Sequence, residues 1–150
     1  MPSRVRRRPS AAKSPTWGWR RCYDVDTFDS AVRILIIDDD RPSRELAARL
    51  VDNLGHSPFT ADDGAQGLAL ARTERPDLLL LDLYMPAMSG LDVVREIRAD
   101  PGLRAVPVIA VSSGTTEDQQ AALSAGCDEF LSKPYELAAL RAAIDRHSPV

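Results

Sequence analysis

The sequence predicts an α/β fold in which helices cover both faces of a parallel sheet. From Val32 onward, short apolar runs alternate with amphipathic segments of about ten to fourteen residues, which is the pattern of strand and crossover-helix units. The runs 34–37 and 78–81 are entirely aliphatic, as expected for strands that are buried on both faces. Five such units follow one another without an internal repeat.

Each apolar run is predicted to form one strand of the sheet. The first, third and fourth are apolar enough to be covered by helices on both sides. The strands are expected near 33–37, 57–60, 78–82, 107–111 and 129–132.

Five helices are predicted after these strands. The first has Asp40 as a candidate N-cap, Pro42 in its first turn and Gly55 directly after its end, and each residue type is favoured at that place. Apolar residues recur at helical spacing in the first, third and last segments. The helices are expected at 41–54, 65–73, about 91–97, 117–125 and 135–147.

Length and composition limit the class of protein. The 150 residues suffice for one domain. The longest aliphatic runs have four residues, far fewer than the roughly 18 of a membrane span, and the amino-terminal arginines are not followed by the apolar stretch of a secretory signal. Cys22 and Cys127 have no metal-ligand spacing. We therefore expect a cytoplasmic, single-domain protein with no membrane partner.

Residues 1–30 differ from the rest of the chain in charge and pattern. They carry seven basic and three acidic side chains, whereas residues 31–150 carry twelve and nineteen. Because this segment also lacks a sustained apolar period, we predict a disordered basic arm before a domain at 31–150. A transit peptide and a misassigned start are alternatives. The acidic domain is expected to repel nucleic acid unless the arm binds it.

Acidic and hydroxyl side chains stand at the ends of three predicted strands. Asp38, Asp39 and Asp40 follow the first strand, Asp82 ends the third, and Ser112 follows the fourth. Ligands of open parallel sheets bind beyond the carboxyl ends of the strands, so these side chains should meet at one edge. Acids that converge there repel one another unless a cation lies among them. Ligands that are all oxygens favour Mg²⁺.

Lys133 follows the fifth predicted strand and is one of only two lysines among 19 basic residues. A compact ammonium suits a charge that reaches inward from a strand end. Together with the hydroxyl of Ser112, it would complete a receptor for a phosphoryl group. Each of these residues alone is explained equally well as a helix cap, a turn residue or a solvated charge, so the hypothesis depends on their combination.

The order and spacing of four segments resemble a bacterial two-component response-regulator receiver domain. The segments are ILIIDDD at 34–40, LLLLDLYMPAMSG at 78–90, VIAVSS at 108–113 and FLSKP at 130–134. The resemblance extends from about Val32 to His147, and the chain is similar to a stand-alone, chemotaxis-type regulator. It implies a flavodoxin-like fold, in which a five-stranded parallel sheet of order 2-1-3-4-5 carries five helices on its two faces.

The resemblance also implies a metal site and a phosphoacceptor. Asp82 would accept the phosphoryl group. Mg²⁺ would be bound directly by Asp39 and Asp82, through water by Asp38, and by the backbone carbonyl of Tyr84. The phosphoryl transfer would then depend mainly on positioning and on charge neutralisation.

Three further residues take roles from the same resemblance. Lys133 would hold the phosphoryl oxygens, and Ser112 would donate a hydrogen bond to the new phosphate. Phe130 would be the switch aromatic that turns into the space opened by this movement. The surface formed by the fourth helix, the fifth strand and the fifth helix would then report the modification.

The implied function is a phosphorylation-dependent signalling switch. A sensor histidine kinase or a phosphotransfer protein would supply the phosphoryl group, and a downstream protein would be regulated. The chain would catalyse only its own phosphorylation and dephosphorylation and would not otherwise be an enzyme. A homodimer is compatible with this function, and we do not expect nucleic-acid binding.

Three positions depart from the usual family pattern. Ser112 replaces the commoner threonine, which keeps the hydroxyl and loses a methyl group. Tyr84 is bulky and Gly114 has no side chain, so we expect Tyr84 to shield the acyl phosphate partly from water.

His56 and His147 are expected to be solvated.

Three alternatives stay open at this point. A phosphatase of the haloacid dehalogenase kind also uses Asp and Mg²⁺, but it needs a second acid where this chain has Tyr84. A binding module that never meets phosphate would have no reason to keep repelling carboxylates. Nucleic-acid binding through residues 1–30 would depend steeply on salt.

Overall fold

A computed structural model describes residues 31–148 of the chain. Five strands and five helices alternate from the first described residues to the last. The predicted arm at residues 1–30 lies outside the described part. The strands are β1 (Arg33–Ile37), β2 (Ser57–Ala61), β3 (Leu78–Asp82), β4 (Val108–Ser112) and β5 (Glu129–Ser132).

The five helices follow the strands as predicted. The last of them begins at Leu137 rather than at the predicted residue 135, because Glu136 is its N-cap. The helices are α1 (Arg41–Asn53), α2 (Gly64–Glu74), α3 (Gly90–Ala99), α4 (Thr116–Ala125) and α5 (Leu137–His147). Within residues 31–148, no helix has the length and apolarity that crossing a membrane requires.

The sheet is parallel throughout and has the strand order β2-β1-β3-β4-β5. This order confirms the prediction made from the resemblance. The chain reverses its direction of travel across the sheet between β1 and β3, which is where open α/β sheets form a crevice. Ile37 pairs with Leu81, Asp82 with Val111, and Ser112 with Ser132, so the carboxyl ends of four strands are level.

The alternation of side chains along each strand produces a core on each face of the sheet. Leu35 and Ile37 of β1 belong to one core, and Ile34 and Ile36 belong to the other. The first core contains buried residues of α2, α3 and α4, and the second contains buried residues of α1 and α5. Burying each of these large side chains stabilises the fold by about 1.5–3 kcal/mol.

Four helices begin with a side-chain cap at the edge where the strands end. The Asp40 carboxylate accepts a hydrogen bond from the Ser43 N–H (3.0 Å), which confirms the predicted N-cap of α1. Asp63 caps α2 in the same way. Capping boxes begin α3 and α4, with reciprocal side-chain and backbone bonds that fix the entry of each loop into its helix.

The opposite edge of the sheet is closed by side-chain bonds to the first residue of a strand. The Asp77 carboxylate accepts from the Arg33 N–H (2.9 Å), and the Asp128 carboxylate accepts from the Val108 N–H (2.8 Å). His56 Nδ1 accepts from the Val32 N–H (3.1 Å), and its ring is half-buried. The prediction that His56 is solvated is therefore wrong.

Candidate functional site

Four strands bring polar side chains to one edge of the sheet. Asp38 directly follows β1, Asp82 ends β3, Ser112 ends β4 and Lys133 directly follows β5. Because β1, β3, β4 and β5 are consecutive neighbours in the sheet, their ends lie side by side. Elements that are as many as 95 residues apart in the chain therefore contribute to one small site.

Three carboxylates form the centre of this edge, and we call Asp38, Asp39 and Asp82 the carboxylate cluster. One oxygen from each residue lies within 4.8 Å of the other two. Asp38 and Asp82 are only 5% and 7% exposed, respectively, whereas Asp39 is exposed. Burying two like charges side by side is unfavourable unless positive charge is close to them.

Lys133 supplies positive charge to the carboxylate cluster. Its Nζ lies 3.2 Å from Asp38 Oδ2 and 3.7 Å from Asp82 Oδ1. The backbone N–H of Lys133 donates to the Ser112 carbonyl (2.9 Å), which holds the residue at the end of β4. The peptide bond between Lys133 and Pro134 is cis. A single ammonium thus contacts two of the three carboxylates.

The protonation of Asp82 reflects this crowding. The pKa of Asp82 is raised to about 6, mainly because the carboxyl is buried, and the charges of Asp38 and Asp39 act in the same direction. The ammonium of Lys133 and a hydrogen bond from the Tyr84 N–H oppose this rise in the pKa. Additional positive charge at the site would stabilise the ionised carboxylate.

Ser112 places a buried hydroxyl beside Asp82, on the neighbouring strand. Its Oγ accepts a hydrogen bond from the Gly114 N–H (3.0 Å). This bond occupies one lone pair of the hydroxyl and leaves its hydrogen available to an acceptor in the site.

Tyr84 lies between the site and the start of α4. A hydrogen bond from its backbone N–H lowers the pKa of the Asp82 carboxyl, and the nearby Asp118 carboxylate, in the first turn of α4, raises the pKa of the Tyr84 hydroxyl. The side chain is otherwise 58% exposed. The sequence analysis did not single out Asp118, which belongs to the capping box that begins α4.

Phe130 lies one strand further from the carboxylate cluster. It pairs with Ala110 in the β4–β5 ladder, is half-buried, and packs against the core that contains α2, α3 and α4. Its strand is hydrogen-bonded to the strand that carries Ser112. Tyr135, in contrast, packs against the α1 and α5 core, where burial and then the charge of Asp38 raise its pKa to about 12.

A comparison with protein families matches residues 34–145 to the response regulator receiver domain. The chain belongs to this family. The matched residues include every strand except the first residue of β1, and they include the whole carboxylate cluster with Ser112 and Lys133. The flavodoxin-like arrangement of its sheet is the one seen in chemotaxis-type receiver domains.

Curated relatives of this receiver domain include the response regulator MprA from two mycobacteria. The sequence is 37% identical over 123 residues to MprA of Mycobacterium bovis (strain BCG / Pasteur 1173P2), covering 79% of this chain and 53% of the relative. The same values hold for MprA of Mycobacterium tuberculosis (strain ATCC 25618 / H37Rv). The chain therefore spans about half the length of the curated relatives it matches.

Solved structures with a similar fold cover nearly the whole domain. The chemotaxis protein CheY4 of Vibrio cholerae has a TM-score of 0.74 and 26% identity, covering 78% of this chain and 98% of that one. The receiver domain of the sensor histidine kinase PA1611 of Pseudomonas aeruginosa PAO1 has a TM-score of 0.73 and 30% identity, covering 78% and 97%. The PA1611 structure has a magnesium ion coordinated in its active site cleft.

Proposed function

We propose that this receiver domain is a phosphorylation-dependent switch whose phosphoacceptor is Asp82. The observation that carries the proposal is the position of the Asp82 carboxylate, which is buried beside Asp38 and lies 3.7 Å from the ammonium of Lys133. A buried acid held in a site with excess negative charge is costly for folding alone. The cost is explained if the site binds a cation and then an anion.

The donor atoms of the carboxylate cluster fit a hard divalent cation. Three oxygens within 4.8 Å of one another, balanced by one ammonium, match the preference of Mg²⁺ for a few carboxylates and water. Asp39 and Asp82 would bind it directly, Asp38 through water, and Tyr84 through its carbonyl oxygen. When bound, Mg²⁺ would supply the charge that lets an anionic phosphoryl group approach a carboxylate.

The donor in this proposal is a phosphohistidine of a sensor kinase or of a phosphotransfer protein. A carboxylate oxygen of Asp82 attacks the phosphorus atom, and a new P–O bond forms as the P–N bond of the donor breaks. The electron pair of the broken bond stays on the imidazole nitrogen, which takes up a proton. Because little covalent work is left to the protein, positioning of the acceptor and neutralisation of charge account for most of the catalysis.

Lys133 and Ser112 would respond to the new phosphate. The ammonium lies 3.2 Å from Asp38 and 3.7 Å from Asp82, so a phosphoryl group on Asp82 would give it a more highly charged anion to contact on the Asp82 side. The hydroxyl of Ser112, with one lone pair already bound to the Gly114 N–H, donates to a phosphoryl oxygen.

The movement of Ser112 would pass to β5 through the β4–β5 ladder. Phe130 lies in that ladder and is half-buried, so a small shift at the end of β4 changes the space available to its ring. The surface of α4, β5 and α5 would change accordingly and alter the affinity for a downstream protein. The coupling is a shift between two populations, and it requires the partner to prefer one of them.

The direct test is a mass measurement of the intact protein after incubation with acetyl phosphate and Mg²⁺. We expect one phosphoryl adduct on the wild type and none on Asp82→Asn. Asp62→Asn is the matched control, because Asp62 is an exposed aspartate in the β2–α2 loop, and it should carry the adduct. Chelation of the divalent cation should abolish the adduct in both proteins that form it. An adduct on Asp82→Asn, or none on the wild type, would contradict the proposal.

A further inference from the structure

Asp38 has a hydrogen-bond partner for each of its polar groups. Its N–H donates to the carbonyl of Ala61 (3.2 Å), and its carboxylate accepts from the Asp40 N–H (2.9 Å) and from the ammonium of Lys133 (3.2 Å). Its carbonyl accepts from Nη1 of Arg44 (2.8 Å), which is the one donor to this oxygen in the described part of the chain. A guanidinium outside the carboxylate cluster therefore helps to hold the backbone of a residue inside it.

Asp39, in contrast, has no partner for its carboxylate among the described residues. The side chain is exposed and makes neither a hydrogen bond nor an ion pair with any of them. The position of this carboxylate thus depends on its backbone. The peptide that joins Asp38 to Asp39 is planar, so the Asp38 carbonyl and the Asp39 N–H keep a fixed relative orientation. A bond that holds the carbonyl also limits the directions in which the Asp39 side chain can point.

Arg44 reaches this carbonyl because of its place in α1. Its own N–H donates to the carbonyl of the N-cap residue Asp40 (2.9 Å), which fixes its Cα about one turn after the loop. Helical side chains lean toward the amino terminus of their helix, and the half-buried side chain of Arg44 extends back to the loop in this way. A charged donor also forms a stronger hydrogen bond than a neutral one. The helix therefore supports the loop that carries Asp38 and Asp39.

From this geometry we infer that Arg44 is a positioning residue for the divalent cation. By holding the Asp38 carbonyl, it orients the peptide that precedes Asp39 and keeps the Asp39 carboxylate where the cation binds. The inference rests on the proposed function and adds a residue to it. Groups that orient metal ligands without touching the metal contribute strongly to affinity, and their loss typically weakens metal binding about ten- to a hundredfold.

Two other accounts of Arg44 predict different results. If the guanidinium acts only through its charge, it repels a cation at the nearby site, and its removal should strengthen Mg²⁺ binding. If it only stabilises the fold, its removal should leave the affinity for Mg²⁺ unchanged. The positioning role predicts weaker Mg²⁺ binding even though the substitution removes a positive charge. The sign of the change in affinity therefore separates the three accounts.

The test is a calorimetric titration of the unphosphorylated protein with Mg²⁺. We expect Arg44→Ala to weaken the affinity about tenfold. Arg41→Ala is the matched control, because it removes the same charge from the first turn of the same helix, where the Arg41 side chain is 78% exposed and pairs with Glu45. This control should bind Mg²⁺ at least as tightly as the wild type. Arg44→Lys keeps the charge and one donor on a shorter side chain, so we expect it to lose only about threefold.

The rate of phosphorylation by acetyl phosphate gives a second measurement. In Arg44→Ala, the Mg²⁺ concentration that gives half of the maximal rate should rise about tenfold. The rate at saturating Mg²⁺ should stay close to that of the wild type, because a bound cation itself holds the Asp39 carboxylate. A lower saturating rate with an unchanged half-maximal concentration would contradict the positioning role.

The outcomes of the titration distinguish this inference from the proposed function. Wild-type or tighter affinity in Arg44→Ala, or equal losses in Arg44→Ala and Arg41→Ala, would overturn the inference and leave the proposed function intact. If Arg44→Ala does not fold, wild-type affinity in Arg44→Lys would overturn it instead. Absence of Mg²⁺ binding by the wild type would overturn both.

Discussion

The two edges of the sheet use the same residue type for opposite purposes. At the amino edge, Asp77 and Asp128 each stand one residue before a strand, and their carboxylates accept the first N–H of the neighbouring strand. At the carboxyl edge, Asp38 and Asp82 are buried beside each other and contact one ammonium, that of Lys133. An aspartate stabilises the fold where donors surround it and costs free energy where other acids do.

The amino edge is also reinforced by Arg98, whose side chain contacts two loops. Its guanidinium donates to the carbonyls of Gly126 (2.8 Å), Arg104 (2.8 Å) and Val106 (2.7 Å) and to the carboxylate of Asp128 (2.9 Å). These bonds join the end of α3 to the segments before β4 and β5. The charges at the amino edge thus have hydrogen-bond partners, whereas the acids at the carboxyl edge outnumber the ammonium beside them. Stability measurements can test this contrast.

The largest effect is expected at the amino edge. Arg98→Ala should lower the free energy of unfolding by about 2–4 kcal/mol, because several carbonyls and the Asp128 carboxylate lose a charged donor. Denaturant unfolding measures this change. Arg95→Ala, one turn away, is the control, since its side chain is 61% exposed and pairs only with Asp92 among the described residues, against 23% exposure for Arg98. We expect less than about 1 kcal/mol there, and equal losses would contradict the comparison.

At the carboxyl edge, we expect a substitution to raise the free energy of unfolding instead of lowering it. The pKa of Asp82 is raised to about 6 from its ordinary 3.8, so the folded state binds more protons than the unfolded state between these values. The stability that the protonated acid contributes is complete below about pH 4 and is lost as the pH rises through 6. Asp82→Asn should therefore raise the free energy of unfolding at pH 7, without divalent cations, by about 1–3 kcal/mol.

The gain in the free energy of unfolding that Asp82→Asn produces should depend on pH. Unfolding curves should show this gain at pH 7 and almost none of it at pH 4. Asp62→Asn, at an exposed position, should change stability little at either pH. A gain that persists at pH 4 would mean that packing, and not charge, is the cause.

A smaller loss of stability, at low pH, is expected from His56 at the amino edge. Burial lowers its pKa below the ordinary 6.5, and the charge of Asp145 opposes this; Nδ1 must stay unprotonated to accept the Val32 N–H. Stability is therefore complete above about pH 6.5 and falls as the pH falls through the folded-state pKa, by about 1 kcal/mol. The measurement belongs in the Asp82→Asn background, where the opposite trend of Asp82 is absent. A His56→Gln variant without that pH dependence would confirm the assignment, and an unchanged dependence would contradict it.

The sequence predicted the features that repeat along the chain. Hydrophobic runs located the strands and helices to within about two residues, and the position of acids after those runs pointed to one edge of the sheet. The influence of Asp118 on Tyr84 was not predicted, because it acts between the loop after β3 and the first turn of α4, and neither residue carries a local pattern that depends on the other. The Asp77 and Asp128 caps were missed for the same reason, since each bonds to a strand that is adjacent in space and distant in sequence.

The level ends of the strands have a further consequence for how such a protein can vary. The pairings of Asp82 with Val111 and of Ser112 with Ser132 belong to a ladder with a spacing of about 4.8 Å between strands, which a change in a loop does not alter. Tyr84, Gly114 and Asp118 lie beyond that ladder. Substitutions at these three positions can therefore change what surrounds the site, while the backbone positions of Asp82 and Ser112 in the sheet stay the same. A family built on this sheet can vary the surroundings of the site independently of its centre.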